Sequence, residues 1–210
     1  MKKLILTLFL ATASDFTFAQ TINFGVKGGL NLSNQSLSGT NYPLNGKNLV
    51  GFHVGGILDI GFQDISIQPG ILFSTKGFRQ VVQLITANQQ SVGSATFKTT
   101  LNYIELPVNL LYHIHVAPEI AIYLGGGPYL GYGLSGNVSG PNDSYKVKFG
   151  SGDSDYKNPD YGVNFIAEIE LKKRLMIDAG YGLGLGNLTH AQGATLQNRV
   201  MSLSVGYLFR

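Results

Sequence analysis

The side chains of this chain that could do chemistry are four histidines and a set of ionisable residues spaced at alternate positions. His53, His113, His115 and His190 are the candidate bases or metal ligands, and the absence of cysteine from the 210 residues removes any thiolate nucleophile or ligand. A nucleophilic centre needs a serine or carboxylate held against its histidine, and a metal centre needs several ligands converging. Alternation puts His53 and His113 on one side of their segments, together with Lys27, Asp59, Gln68, Glu105, Asn109, Glu168, Glu170, Arg174 and Asp178. His115 falls in a turn and His190 in a loop, and no histidine gains a serine on the opposite, apolar side. The expected chemistry is therefore a satisfied polar network built from Lys27, Glu105, Glu168, Asp178, Arg174 and His113, in which Lys27 pairs with Glu168 and Asp178. Unpaired charges there would cost several kcal/mol each. The sharper alternative is a path for protons or small ions.

Two weaker patterns are read as structure. Gly180, Gly182, Gly184 and Gly186 contain a GxG spacing, but they alternate within one segment and no helix follows to cradle a phosphate. Asp153, Asp155 and Asp160 lack the ligand spacing of a calcium loop, and a solvated acidic loop is expected. No cofactor and no metal is implied.

The elements that carry these residues are read from the period of two. Met201, Leu203, Val205, Tyr207 and Phe209 alternate with small or polar residues, and so do Leu175, Ile177, Ala179, Tyr181 and Leu183. The same rule holds around Tyr161 to Leu171, Ile120 to Tyr132, Ile104 to Ile114, Ile65 to Phe73, Val50 to Ile60, and Ile22 to Leu32. Eight strands result, each long enough to cross a bilayer at a tilt, which takes about 9–11 residues. Their connections alternate strictly between short and long. Gly61 to Asp64, His115 to Pro118 and Lys172 to Arg174 are tight turns, whereas Gln35 to Lys47, Lys76 to Ala95, Ser135 to Pro159 and Asn187 to Gln197 are long. The second long connection carries Val81, Val82, Leu84 and Ile85, predicting that its strands continue as a protruding hairpin; the third is low in complexity and predicts a mobile loop.

The apolar parity also sorts the aromatics into two girdles, as amphipathic rings do at membrane interfaces. Phe52, Phe73, Tyr132 and Tyr161 fall near the long-loop ends, and Phe24, Tyr112, Tyr207 and Phe209 near the short-turn ends. The fold class expected is all-β: an eight-stranded antiparallel transmembrane up-and-down barrel, too narrow for anything but its own polar side chains inside.

Composition agrees with one greasy face. Charged residues are 13% of the chain against a usual quarter, and glycine supplies 28 positions. A net charge of +3 with dispersed lysines gives no footprint for nucleic acid. Residues 1–19 read as a signal peptide, with Lys2 and Lys3 before the apolar Leu4 to Ala13 and small residues ahead of Gln20; residues 20–210 form the barrel domain.

In order along the chain, Phe24-Gly25-Val26-Lys27-Gly28-Gly29-Leu30-Asn31-Leu32-Ser33, Gly51-Phe52-His53-Val54-Gly55-Gly56, Tyr103-Ile104-Glu105-Leu106-Pro107-Val108, Gly126-Gly127-Pro128-Tyr129 and Val205-Gly206-Tyr207-Leu208-Phe209 resemble the small outer-membrane β-barrels of the bacteroidete type, called PorT-like or porin family proteins. The resemblance spans nearly all of the chain after the leader and implies an outer-membrane location. It further implies outer-membrane lipid as surroundings, and one family member's link to a protein-secretion apparatus suggests an accessory role there. The function expected is non-enzymatic, with long external loops mediating interaction or adhesion, envelope or extracellular proteins as partners, and a monomeric state. A lipid-modifying enzyme is the third alternative.

Overall fold

The computed structural model describes residues 21–39, 46–85 and 91–209. The leader expected over residues 1–19 lies outside them. The described residues form nine strands and no helix: β1 (Thr21–Ser38), β2 (Gly46–Phe62), β3 (Ile65–Ile85), β4 (Ser91–Ala117), β5 (Ile120–Ser139), β6 (Ser144–Val147), β7 (Asp160–Leu171), β8 (Leu175–Gly184) and β9 (Thr195–Phe209). Eight of them close a ring, each antiparallel to its neighbours, from β1 through β2, β3, β4, β5, β7 and β8 to β9 and back to β1. The ninth, β6, lies outside the ring and pairs only with the upper end of β5, from Gly136 to Ser139.

Register fixes the shape. Paired residues followed round the ring from Ile22 lead through Ile60, Ile67, Leu110, Gly126, Phe165, Tyr181 and Met201 back to β1 at Leu32, ten residues from the start. This stagger tilts the strands by roughly 35–45° and leaves an interior that side chains fill. The path also stays on one face, because directly opposed residues on antiparallel strands point the same way.

That face is the outside. Leu30, Leu203 and Val205 are 61%, 60% and 55% exposed, whereas Glu168 and Asp178, on the opposite face, are 1% and 2% exposed. A soluble barrel would bury the first set; here the ring turns them outward as a continuous apolar band. The inner apolar contribution is small: Ile57, Met176 and Leu208 pack together near the short-turn end, with Leu72 against them.

The strands overshoot the boundaries that alternation suggested. β3 has 21 residues and β4 has 27, so they run as a paired hairpin far beyond the ring, from Lys76↔Leu101 to Ile85↔Ser91. Lys76 is thus a strand residue and not the start of a loop. The third long connection is also not the shapeless loop expected of its composition. It contains β6 and a bridge between Phe149 and Tyr156, and it folds back over the mouth of the ring. At the other end, the β7–β8 turn places Lys172 and Lys173 at φ of 50° and 57°, with the Arg174 amide donating to the Leu171 carbonyl at 3.1 Å. This is the left-handed two-residue turn that matches strand twist, made without the usual Asn-Gly pair.

Candidate functional site: a layered charged lumen

Three layers of polar side chains fill the ring. Nearest the short turns, the Tyr123 hydroxyl donates to Glu170 at 2.9 Å and the Asn23 amide reaches Asp59 at 3.5 Å. The His113 ring packs against Tyr123 with centroids 4.1 Å apart and planes inclined by 55°. These residues line a cavity of about 430 Å³ that opens at this end.

In the middle layer, Lys27 Nζ lies 3.0 Å from Asp178 Oδ2. Glu168 sits directly opposite Asp178 across β7–β8 and is buried beside it, within the field of Lys27, whose close ion pair is with Asp178. Ser204 Oγ lies 3.0 Å from Asp178, while His53 bridges Ser204 at 2.9 Å and Asn31 at 2.8 Å. The chain Asn31–His53–Ser204 has the connectivity of a nucleophile, base and orienting group. Its burial argues for a different use: Ser204 is 1% exposed and faces the lumen, and the cavity beside His53 holds about 80 Å³, far below the several hundred Å³ of ligand pockets. It is a hydrogen-bonded strut.

Of the upper layer, the alternation made Glu105 legible but not Lys76 or Asp160. Lys76 lies between Asp160, at 3.1 Å, and Glu105, with which it also pairs. Asn198 donates to Asp160 at 2.9 Å and receives the Gln35 amide at 3.0 Å. The Lys76 ammonium stands 4.4 Å from the Tyr129 ring centroid and 5.3 Å from that of Tyr103, so the cation is enclosed by two aromatic faces and two carboxylates. Tyr129 fits because Gly162 lies beneath it: a Cβ there would stand 2.8 Å from the ring.

The third connection covers this layer. Phe149 lays its ring against Tyr103, centroids 5.4 Å apart, and occupies the space a Cβ on Gly133 would need. Asn158 clamps Gly133 with both groups of its amide, accepting from the backbone N–H at 2.8 Å and donating to the carbonyl at 3.1 Å. The Tyr156 hydroxyl donates to Gln35 at 3.4 Å, and burial pushes this phenol up to about 12. The Lys157 amide donates to the carbonyl of fully buried Leu188, and His190 Nε2 contacts the Gly150 carbonyl at 2.9 Å. The loops therefore interlock over the mouth.

Several expectations are corrected by this arrangement. Arg174 is not in the lumen: it is exposed in the β7–β8 turn and donates to the Tyr207 hydroxyl at 3.1 Å, because strand parity ceases to apply once the chain turns. Asp160 is wholly buried as the first residue of β7 and does not belong to a solvated acidic loop. Asp155 accepts from the Gly152 amide within its own loop. No cluster of three or more metal-ligating side chains forms among the described residues.

The aromatics occupy the outer face. Phe24 stacks on Phe209 at 5.8 Å and Phe209 meets Tyr207 at 5.4 Å near the short turns; Tyr112 is exposed there on β4. Toward the long loops, Phe52 contacts Phe73 at 5.7 Å, Phe73 and Tyr132 both oppose Ile104, and Tyr161 opposes Leu130. Phe73 is half-buried between its neighbours, while Phe52, Tyr132 and Tyr161 are exposed.

A ring of this kind, apolar outside and ionisable within, defines an integral membrane β-barrel. The chain belongs to the outer membrane protein beta-barrel domain family, whose model matches residues 18–190. Among solved structures it is similar to Ail, the attachment invasion locus protein of Yersinia pestis, at 15% identity and a TM-score of 0.42 over 89% of this chain and 98% of that one. Neisserial surface protein A is similar at 12% identity and 0.47, over 89% and 97% of the chains. The outer membrane protein OprG of Pseudomonas aeruginosa is similar at 12% identity and 0.45, over 91% and 97%. No curated protein sequence matches the chain.

Proposed function

We propose that this outer-membrane barrel is a non-enzymatic surface protein whose external β3–β4 hairpin binds an envelope or extracellular protein. The observation that carries the reading is the contrast between lumen and hairpin. From the loop end the lumen is covered, and the cavity beside His53 holds only about 80 Å³, so the outward-facing mouth offers a small molecule neither volume nor entry. The hairpin projects beyond the ring and displays Val82, Leu84 and Phe97 at 40%, 48% and 37% exposure, apolar side chains on the face that Lys76 and Phe78 turn inward lower down. Exposed apolar residues grouped on a projecting, hydrogen-bonded element are what a protein partner buries.

A second reading, accessory component of an envelope protein-secretion apparatus, follows from the resemblance to PorT-like proteins. It places the contacts at the other end, where Lys172, Lys173 and Arg174 stand exposed in the β7–β8 turn. Photo-crosslinking in living cells separates the two. A crosslinker at Leu84 is expected to capture a protein and one at Lys173 is not; capture from Lys173 alone would favour the secretion reading, and capture from neither would overturn both. A crosslink at Leu84 that survives Val82→Ser combined with Phe97→Ser would also count against the apolar hairpin surface.

A further inference from the structure

Charge in this barrel is segregated more sharply than the net +3 suggests. Asp59, Glu105, Asp160, Glu168, Glu170 and Asp178 all point inward, against the inward lysines Lys27 and Lys76. The cations that balance them lie elsewhere, and three of them lie in one line. Lys47 on β2 is directly opposed to Arg79 on β3, and Arg79 is directly opposed to Lys98 on β4. All three are exposed.

Their direction follows from register. β3 and β4 pair without a break in alternation from Phe73↔Ile104 up to Arg79↔Lys98, so Arg79 and Lys98 share the outward face of Phe73. Lys47 joins them as the cross-strand partner of Arg79. Lys146 extends the group on the same face, opposed to Asn137, which is itself opposed to Thr100 two residues along from Lys98. Neighbouring strands are about 4.8 Å apart, so the three-residue row places its charges within about 10 Å of one another. Beyond Lys98 the row continues as Ser139 and Ser144, and none of the cations in it has an ion-pair partner among the described residues.

Like charges placed directly opposite on a sheet repel. A row of three, kept on the outward face of the strands six residues, or about 20 Å, beyond Phe73 and Ile104, is relieved by an anion that sits beside the barrel and not over its mouth. We propose that the outward row Lys47–Arg79–Lys98, extended by Lys146, binds the phosphates of an anionic glycolipid in the outer leaflet. Anionic headgroups at a membrane surface attract each nearby cation by an amount equivalent to about a fivefold change in affinity. The inference does not rest on the hairpin reading, since it concerns a different face of the molecule.

The test uses the full chain in phosphatidylcholine nanodiscs doped with either bisphosphorylated lipid A or the same lipid stripped of phosphate, with retained lipid counted by native mass spectrometry. The wild type is expected to retain the phosphorylated form preferentially. Lys47→Gln, Arg79→Gln and Lys98→Gln together are expected to reduce that retention about 100-fold, at about fivefold for each charge. Lys172→Gln, Lys173→Gln and Arg174→Gln together, at the opposite end, should leave it unchanged. Lys98→Gln alone, at an exposed position, supplies a mild variant whose fivefold loss is read even if the triple substitution impairs folding, and heat-modifiable migration reports folding in each case. Equal retention of the two lipids, or equal loss in the row variant and the distal control, would overturn the proposal. So would row-dependent binding of a soluble sulfated oligosaccharide with no preference between the two lipids, which would assign the row to a free glycan.

Discussion

At the residue scale, the lumen layers make unequal demands on their partners. Removing one member of a buried ion pair leaves a charge without compensation and costs about 3–5 kcal/mol, whereas replacing both by apolar residues is often close to neutral. Lys27→Met is therefore expected to destabilise the barrel by about 3–5 kcal/mol, and Lys27→Met with Asp178→Leu by much less, read as urea midpoints of the heat-modifiable band. Lys76→Met should cost more than Lys27→Met, because it strands Glu105 and Asp160 together. Equal midpoints for the two single variants would show that the upper layer carries no such tension. Lys27, His53, Glu168 and Asp178 were legible in the sequence because they lie within segments of unbroken alternation. Lys76 and Asp160 were not, since each sits where the apolar alternation breaks off: β3 passes on from Lys76 to Ile85, and β7 begins at Asp160 after a polar stretch. Arg174 erred in the opposite way, its parity having been counted into a turn.

At the element scale, the turns and the third connection are where composition misleads. Lys172 and Lys173 adopt left-handed backbone conformations that cost an ordinary side chain about 1–2 kcal/mol per residue. Lys172→Asn with Lys173→Gly is accordingly expected to raise stability by about 1 kcal/mol or more, without altering register. The covering loop makes a different prediction. Its stretch of Gly, Ser, Asp, Asn and Lys reads as mobile, yet Phe149 and Asn158 both anchor on Gly133, a position on another strand that no local pattern links to them. Gly133→Leu should displace the Phe149 ring and accelerate amide exchange across residues 140–159, while leaving exchange in β7 and β8 as it was. Unchanged exchange in the loop would mean that Phe149 does not hold it.

At the scale of the whole molecule, the fold follows from one asymmetry: period-two apolar residues around a complete ring, with the charges on the other side. That asymmetry was readable from one strand at a time, but closure, the ten-residue stagger and the line of Lys47, Arg79 and Lys98 exist only between strands. Depth on the outer face predicts the cost of charge. Leu203→Arg, near the middle of β9, should destabilise by about 2–4 kcal/mol, and the same change at an interface position such as Tyr132 by about 1 kcal/mol or less.

The absence of tryptophan makes the asymmetry directly measurable, because a single introduced indole is the sole reporter of its kind. Leu203→Trp and Val54→Trp place it on the outward face, and Tyr123→Trp on the inward one. In vesicles of lipid brominated along its acyl chains, the first two are expected to be strongly quenched and the third to keep its emission. Quenching at Tyr123→Trp, with Leu203→Trp left bright, would contradict the account.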